Sequence, residues 1–259
     1  MQSSNAATAS HHFVAAFDAF PGRCWNSGTA PDLRRDAREW LGRISAAIVQ
    51  GEAAPTVQID ALVAALARWL TEDRAGILGA VHDHFGRVGL RSHALCVAVL
   101  MMNCAHDLDL GAERIHAFGV AGLLHDIGKL AVPPQILDKP GKLDAAEFAV
   151  MRGHPEKGVF LLRRCGIDDP QIIEVCRHHH ERADGSGYPG GLRHEQIGLA
   201  ARLCAICDVY DALISKRSYK PAWSVDQALE QLRAIGQFDP QLLEIFVSSI
   251  ACRQVAALS

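Results

Sequence analysis

The chain has 259 residues, above the ~150-residue domain prior but within reach of one large domain with a small extension, which excludes two equal enzyme domains. Hydrophobic residues at 49% against 21% charged exclude wholesale disorder, and 6% aromatic residues make the core mostly aliphatic. A net charge of -3, from 26 Lys and Arg against 29 Asp and Glu, argues against a basic groove for a nucleic-acid polymer, so an anionic ligand would need local help such as metal ions.

Residues 1 to about 32 are rich in Ala, Ser and Gly, carry Pro21 and Pro31, and show no sustained period; they read as a weakly ordered arm. Met1 to His12 lacks the basic then apolar pattern of a signal peptide. From Asp36 the spacing predicts a helix with Trp40, Leu41, Ile44 and Ile48 on one face and Gly51 as its C-cap. A second helix follows, with Thr56 as the expected cap and a stripe of Leu62, Val63, Leu66, Trp69 and Leu70, and a further turn or two is expected between Ile77 and Phe85. No alternating βαβ pattern marks a phosphoacceptor or nucleotide-binding domain, so residues 1–85 read as an arm and helical extension with a candidate regulatory role, and residues 86–259 as the main domain.

From Ser92 nearly every segment predicts helix: Ser92 to Asp107, Gly111 to His125, Asp144 to Gly153, Pro155 to Cys165, Pro170 to Arg182, Gln196 to Lys216, Ser224 to Ile235 and Pro240 to Cys252. Asp144 with Glu147 makes an acidic relative of a capping box, and Pro155, Pro170 and Pro240 suit first helical turns. Two non-helical inserts are expected, Ala131 to Leu143 and the glycine-rich Asp184 to Leu192. The longest apolar run, Ala94 to Met102, is far short of the ~18 residues of a membrane span. Cys24, Cys96, Cys104, Cys165, Cys176, Cys204, Cys207 and Cys252 lie mostly in apolar helical segments, which favours reduced thiols; a cytoplasmic location is expected.

The compositional oddity is 13 histidines. His125 and Asp126 stand side by side at a helix end, where an imidazole and a carboxylate can grip one cation and the second carboxylate oxygen can bridge to another. Alone the pair is weak evidence. His93 on a strongly apolar helix, His154 at a helix break, His179 and His180 at another helix end, and Asp208 interrupting Leu203 to Val209 change its weight, because such groups are costly to bury unless paired or bound to a cation. Nitrogen and carboxylate ligands without thiolate suit iron or manganese, allow zinc, and match magnesium or calcium poorly.

The motifs HDIGKLAVPPQILDKPGKL (125–143), HPEKG (154–158), HHERADGSGYPGGL (179–192), CDVYDAL (207–213), SYKPAW (218–223) and QFDPQLLEIF (237–246), in this order, resemble the HD-GYP family of cyclic dinucleotide phosphodiesterases from about Ser92 to the end of the chain. The resemblance implies an all-α fold, a helical HD bundle with additional C-terminal helices, around a metal centre. Carried over by position, His93, His125, Asp126 and Asp208 would hold one metal, and Asp126 would bridge to a second held by His154, His179 and His180. Lys129 matches the family's substrate-phosphate lysine, and Gly187, Tyr188 and Pro189 form the signature loop beside the site. Members with a third metal carry a glutamate four residues before the first histidine; Gly89 occupies that position here, so two divalent metals are expected and a third is not.

Three consecutive helical residues fan over ~200°, so His178 is read as a surface or supporting residue. Cys204 and Cys207, in one predicted helix without a second pair, read as core; His82 and His84 as exposed histidines at a helix end; and His11, His12, His106, His116 and His194 as solvated. Glu181 and Asp184 read as braces for ligands or for the glycine-rich turn. The activity implied by the resemblance is hydrolysis of cyclic di-GMP to pGpG and onward to GMP, with Asp126 and Lys129 as catalytic residues and attack by hydroxide bridging two cations ~3.5–4 Å apart. Lys129, Gly187, Tyr188 and Pro189 would meet the substrate, and the loop would also suit a diguanylate cyclase (GGDEF) domain as partner. The alternatives are a hydrolase of another cyclic dinucleotide or nucleotide, and a non-catalytic receptor whose extension reports occupancy.

Overall fold

The computed structural model describes residues 30–53, 55–86, 89–215 and 222–256, with side chains from 36 to 251. The sequence reading of the arm up to residue 29, and most of SYKPAW (218–223), fall outside the described residues. Among the described residues there are twelve α-helices and no strand, only an isolated bridge between Asp184 and Arg193. No described helix is long and apolar enough to cross a membrane.

Three helices precede the centre of the bundle: α1 (Ala30–Gln50), α2 (Thr56–Glu72) and α3 (Arg74–His82). Leu41, Ile44 and Ile48 of α1 are buried, and α1 ends where Gly51 takes a φ of 73° and the Glu52 N–H donates to Ala47 O. Thr56 is the first residue of α2 and not its cap, since Pro55 precedes it without a side-chain bond. The third helix starts earlier than Ile77 because the Asp73 carboxylate accepts the Gly76 N–H.

α4 (Leu90–Asp107) is the centre of the bundle, with every residue from Ala94 to Ala105 buried. A helix apolar on all sides belongs inside, and burying each large aliphatic side chain is worth ~1.5–3 kcal/mol. α5 (Gly111–Leu124) packs along it, then a 3-10 turn (Ile127–Ala131) and α6 (Pro134–Leu137) occupy part of the stretch that reads as non-helical in the sequence. α7 (Ala145–Arg152) opens on the capping box of Asp144 and Glu147. α8 (His154–Arg164), α9 (Pro170–His178), α10 (Leu199–Ile214), α11 (Val225–Ile235) and α12 (Pro240–Ala256) complete the order. α9 stops at His178 rather than Arg182, with His179 as its C-cap, still in right-handed helical conformation.

One hydrophobic cluster runs from Ala37 and Leu41 through Leu66, Leu95 and Leu100 to Tyr210 and Phe246, so α1 to α3 share their core with the later helices. At the end of α4 away from the histidines, Arg74 of α3 donates to Asn103 Oδ1 at 2.7 Å, and Ser249 of α12 donates to Asp107 Oδ2 at 2.6 Å. The six described cysteines are buried and unpaired, Cys204 and Cys207 among them, as core packing requires.

Candidate metal centre

The His-Asp pair sits at the close of α5, where a glycine contact fixes it. A Cβ at Gly128 would stand 1.9 Å from the carbonyl oxygen of His154 and 2.5 Å from the Gly158 nitrogen. A Cβ at Gly158 would stand 2.5 Å from Cys176 Sγ. The turn after Asp126 and the first turns of α8 therefore meet backbone to backbone, which brings His154 beside Asp126.

Asp126 divides its two oxygens. Oδ1 lies 3.1 Å from His154 Nε2 and 3.5 Å from His179 Nε2, whereas Oδ2 lies 3.4 Å from His125 Nε2 and 3.5 Å from His93 Nε2. Two ligand clusters follow, Asp126 with His154, His179 and His180, and His93 with His125 and Asp208. His93 Nε2 is 3.0 Å from Asp208 Oδ1. All seven residues singled out as ligands thus converge on one place, while His178 stays outside both clusters.

The imidazoles are held with their Nε2 atoms inward. The Nδ1 atoms of His125, His154 and His179 donate to the carbonyls of Gly122 at 2.7 Å, Met151 at 2.8 Å and Val175 at 3.1 Å. In this tautomer each Nε2 presents a lone pair, and those of His154 and His179 face each other at 3.3 Å. His125 Nε2 and Asp126 Oδ1 are buried without a hydrogen-bond partner. Buried orphans of this kind, one on each side of the Asp126 carboxylate and backed by oriented rings, fit a site for transition-metal cations.

The charges of the site are strongly coupled: burial opposes the charge on His93, but hydrogen bonds to Asp126, Asp208 and Asp211 push its imidazole well above its ordinary value. Burial opposes the charge on Asp126, but Lys129 and His125 hold its carboxyl well below the usual carboxylate range. Burial likewise opposes the charge on Asp208, and the hydrogen bond and charge of His93 hold it down. Burial, followed by the neighbouring His179, pushes the His180 imidazole well below its ordinary value, which keeps it neutral and able to donate its lone pair.

Two supporting residues escape the sequence reading. Asp211, on the same face of α10 as Asp208, is buried and accepts the His93 Nδ1–H at 2.7 Å. Behind it stands His84, whose Nδ1 lies 3.5 Å from Asp211 Oδ1. His84 is buried, not exposed as its place after a helix suggests, because His84 (φ 46°) and Phe85 (φ 52°) turn left-handed and send the chain back into the core. His82 is half-buried and pairs with the Tyr210 hydroxyl at 3.0 Å. His84, Cys96 and Asp211 form a third group of candidate ligands, but burial pushes the Cys96 thiol up and its hydrogen points at the Val81 carbonyl, so it offers no thiolate. Asp211→Asn should leave the fold intact and weaken metal retention at the His93 cluster by ~10- to 100-fold, read by titrating a chelator against the metal-loaded protein. Unchanged retention would reduce Asp211 to a core hydrogen-bond partner.

The glycine-rich loop is tied to the site by Glu181, which is buried and accepts the Gly190 N–H at 2.5 Å and the Leu192 N–H at 3.0 Å. Asp184 closes the turn by accepting the Ser186 N–H at 2.8 Å. A Cβ at Gly187 would stand 2.5 Å from the Glu181 Cα, so a glycine is required where the loop folds back on the backbone of His180 to Arg182. Tyr188 borders the ligand cluster. Its ring stacks on His180 with centroids 4.8 Å apart, and the Arg152 guanidinium lies 4.6 Å from the ring centroid. Tyr188→Ala should loosen His180 and weaken metal binding by ~2- to 12-fold, the ~0.5–1.5 kcal/mol of an aromatic pair. Metal content that resists chelator as in the unaltered protein, together with a raised KM, would return Tyr188 to substrate contact. Of the remaining histidines, His106 is exposed, His116 lies 3.6 Å from Asp60 and His194 is 3.0 Å from Asp239. His194 is therefore held beside a carboxylate as well as partly solvated.

The HD domain family model matches residues 64–242. A cyclic di-GMP phosphodiesterase of Pseudomonas aeruginosa is 47% identical over 167 residues, which are 64% of this chain and 40% of that protein. A 3'3'-cGAMP-specific phosphodiesterase of Vibrio cholerae is 42% identical over 159 residues, 60% of this chain and 30% of that protein. The chain thus spans less than half the length of these curated relatives. An HDG"Y"P protein of Bdellovibrio bacteriovorus superposes with a TM-score of 0.66 at 15% identity, covering 95% of this chain and 78% of that one, a likeness of fold.

Proposed function

The chain belongs to the HD domain family, and from that premise we propose that it is a metal-dependent phosphodiesterase that hydrolyses cyclic di-GMP to pGpG and onward to GMP. The observation that carries the reading is the division of Asp126, one oxygen toward each ligand cluster.

His93, His125, Asp126 and Asp208 would hold one divalent metal, and Asp126, His154, His179 and His180 the second, with iron or manganese favoured by the nitrogen and oxygen donors and zinc allowed. When bound, such a pair supplies an activated water at neutral pH and neutralises the phosphodiester. The chain's own residues do the rest. Asp126 fixes the spacing of the two clusters, Asp211 and the backbone carbonyls keep the imidazoles turned inward, and Lys129 stands beside Asp126 Oδ2 at the partly open edge of the site. From there its ammonium would meet negative charge growing on the phosphoryl oxygens. No serine or cysteine nucleophile is needed.

Among the relatives, some are named for cyclic di-GMP and others for 3'3'-cGAMP, which makes mixed-base hydrolysis the second reading. Product chromatography after incubating manganese-loaded or iron-loaded protein with each cyclic dinucleotide tests both. Linear dinucleotide should accumulate first, and binding without product would favour a receptor. Pro189 and Gly190 are exposed on the rim of the loop, the edge where a GGDEF domain would dock; a pull-down with and without a Pro189 substitution tests that contact.

A further inference from the structure

A cavity of about 780 Å³ opens beside Asp126, within the ~300–1,000 Å³ range of small-molecule sites. Its floor belongs to the metal centre, but one wall is α1, which lies outside the stretch matched by the HD domain family. Arg38, Glu39, Gly42 and Ser45 of α1 line it, and Arg91, in the first turn of α4, lines it from across. Spacings of three and four residues place Arg38, Gly42 and Ser45 on one helical face.

Two details distinguish this wall from an ordinary polar surface. A Cβ at Gly42 would stand 2.8 Å from both Cζ and Nη1 of Arg91, so the missing side chain is what lets that guanidinium lie against α1. Glycine in a helix interior costs stability, and here the space it leaves is filled by a cation. Arg38 Nη1, moreover, is buried with no hydrogen-bond partner among the described residues. A guanidinium N–H left without an acceptor is costly, and a ligand acceptor would remove the cost.

We propose that this cavity receives the half of the cyclic dinucleotide remote from the metals, and that Arg38, Arg91 and Glu39 read a guanine in it. The inference rests on the phosphodiesterase reading of the metal centre. Guanine presents two adjacent acceptors, O6 and N7, which match the fork of an arginine, and an N2 amino donor, which matches a carboxylate. Adenine presents an amino donor beside N7 and cannot take the same fork. The wall therefore supplies donors and an acceptor in the combination that guanine completes, and it assigns base selection to α1 together with the first turn of α4.

The test compares the manganese-loaded full chain with Arg38→Gln, Glu39→Gln and Arg91→Gln, measuring KM and kcat on cyclic di-GMP, cyclic di-AMP and the baseless ester bis(p-nitrophenyl) phosphate, with metal content measured alongside. Each substitution should raise KM for cyclic di-GMP by about 5- to 150-fold, mainly without a change in kcat, and lower the preference for cyclic di-GMP over cyclic di-AMP in proportion. Ser45→Trp, which fills the cavity without touching a ligand, should depress cyclic di-GMP turnover far more than turnover of the small ester. Equal KM for cyclic di-GMP in all variants, or parallel losses on all three substrates, would overturn the guanine wall while leaving the metal centre's function in place. Cleavage of the small diester by the unaltered protein with neither binding nor turnover of cyclic dinucleotides would overturn the cyclic dinucleotide reading of the metal centre, and the wall with it.

Discussion

Asp126→Ala should remove both metals and all cyclic dinucleotide turnover in a single step. The carboxylate puts one oxygen toward two histidines of each ligand cluster, His154 and His179 with Oδ1, His93 and His125 with Oδ2. The loss should exceed the ~10- to 100-fold that follows removal of a partner acting only through a ligand. Because bound metal stabilises the folded state by mass action, the variant should also no longer gain thermal stability on metal addition. Asp126→Asn refines the test, since an amide keeps one ligating oxygen and replaces the other with a donor. It should retain at most one of the two metals. Elemental analysis of the purified variants decides the matter, and full occupancy in Asp126→Ala would refute the bridging role.

Lys129→Ala should keep both metals and lose ~10- to 150-fold in kcat/KM, the equivalent of the ~1.5–3 kcal/mol of a charge-assisted contact. The ammonium reaches Asp126 Oδ2 across the 3-10 turn, yet a fifth of its side chain remains exposed at the mouth of the site. It can therefore exchange a carboxylate oxygen for a phosphate oxygen by a small rotation of its stem. Lys129→Arg should recover part of the rate, because a guanidinium keeps the charge but not the compact shape. Should metal content fall together with rate in Lys129→Ala, the lysine acts by holding Asp126 in place and does not contact substrate.

The residues that the structure gathers around Asp126 were legible in the sequence because each violates a local rule. Asp208 breaks an apolar run, His93 stands on a helix otherwise hydrophobic, and His154, His179 and His180 lie where helices begin or end. Asp211 follows Asp208 by three residues, just past the same run, so the i, i+3 relation carried a usable signal that was passed over. His84 gave none, because the left-handed turn that buries it follows a helix whose end reads as a solvated terminus. The end of α9 was misplaced for a related reason: periodicity reports that a helix exists, while its stop is decided by the loop that Glu181 and Gly187 draw back onto it. The cavity face of α1 was illegible, since a polar stripe on an amphipathic helix looks the same facing water as facing an enclosed space.

The contact between Gly128 and the start of α8 bears on how the centre would answer to ions of different radius. Two main chains in van der Waals contact have no rotamers to adjust, so the separation between the His125–Asp126 turn and His154 is rigid on the scale at which ionic radii differ. The opposite boundary is softer: His179 caps a helix end, and His180 is steadied by the ring of Tyr188 rather than by backbone. Accommodation of a larger or smaller cation therefore falls on the loop side of the site. Exchange of one metal for another should accordingly be recorded in the tilt of His180 and Tyr188, with His125 and His154 keeping their spacing.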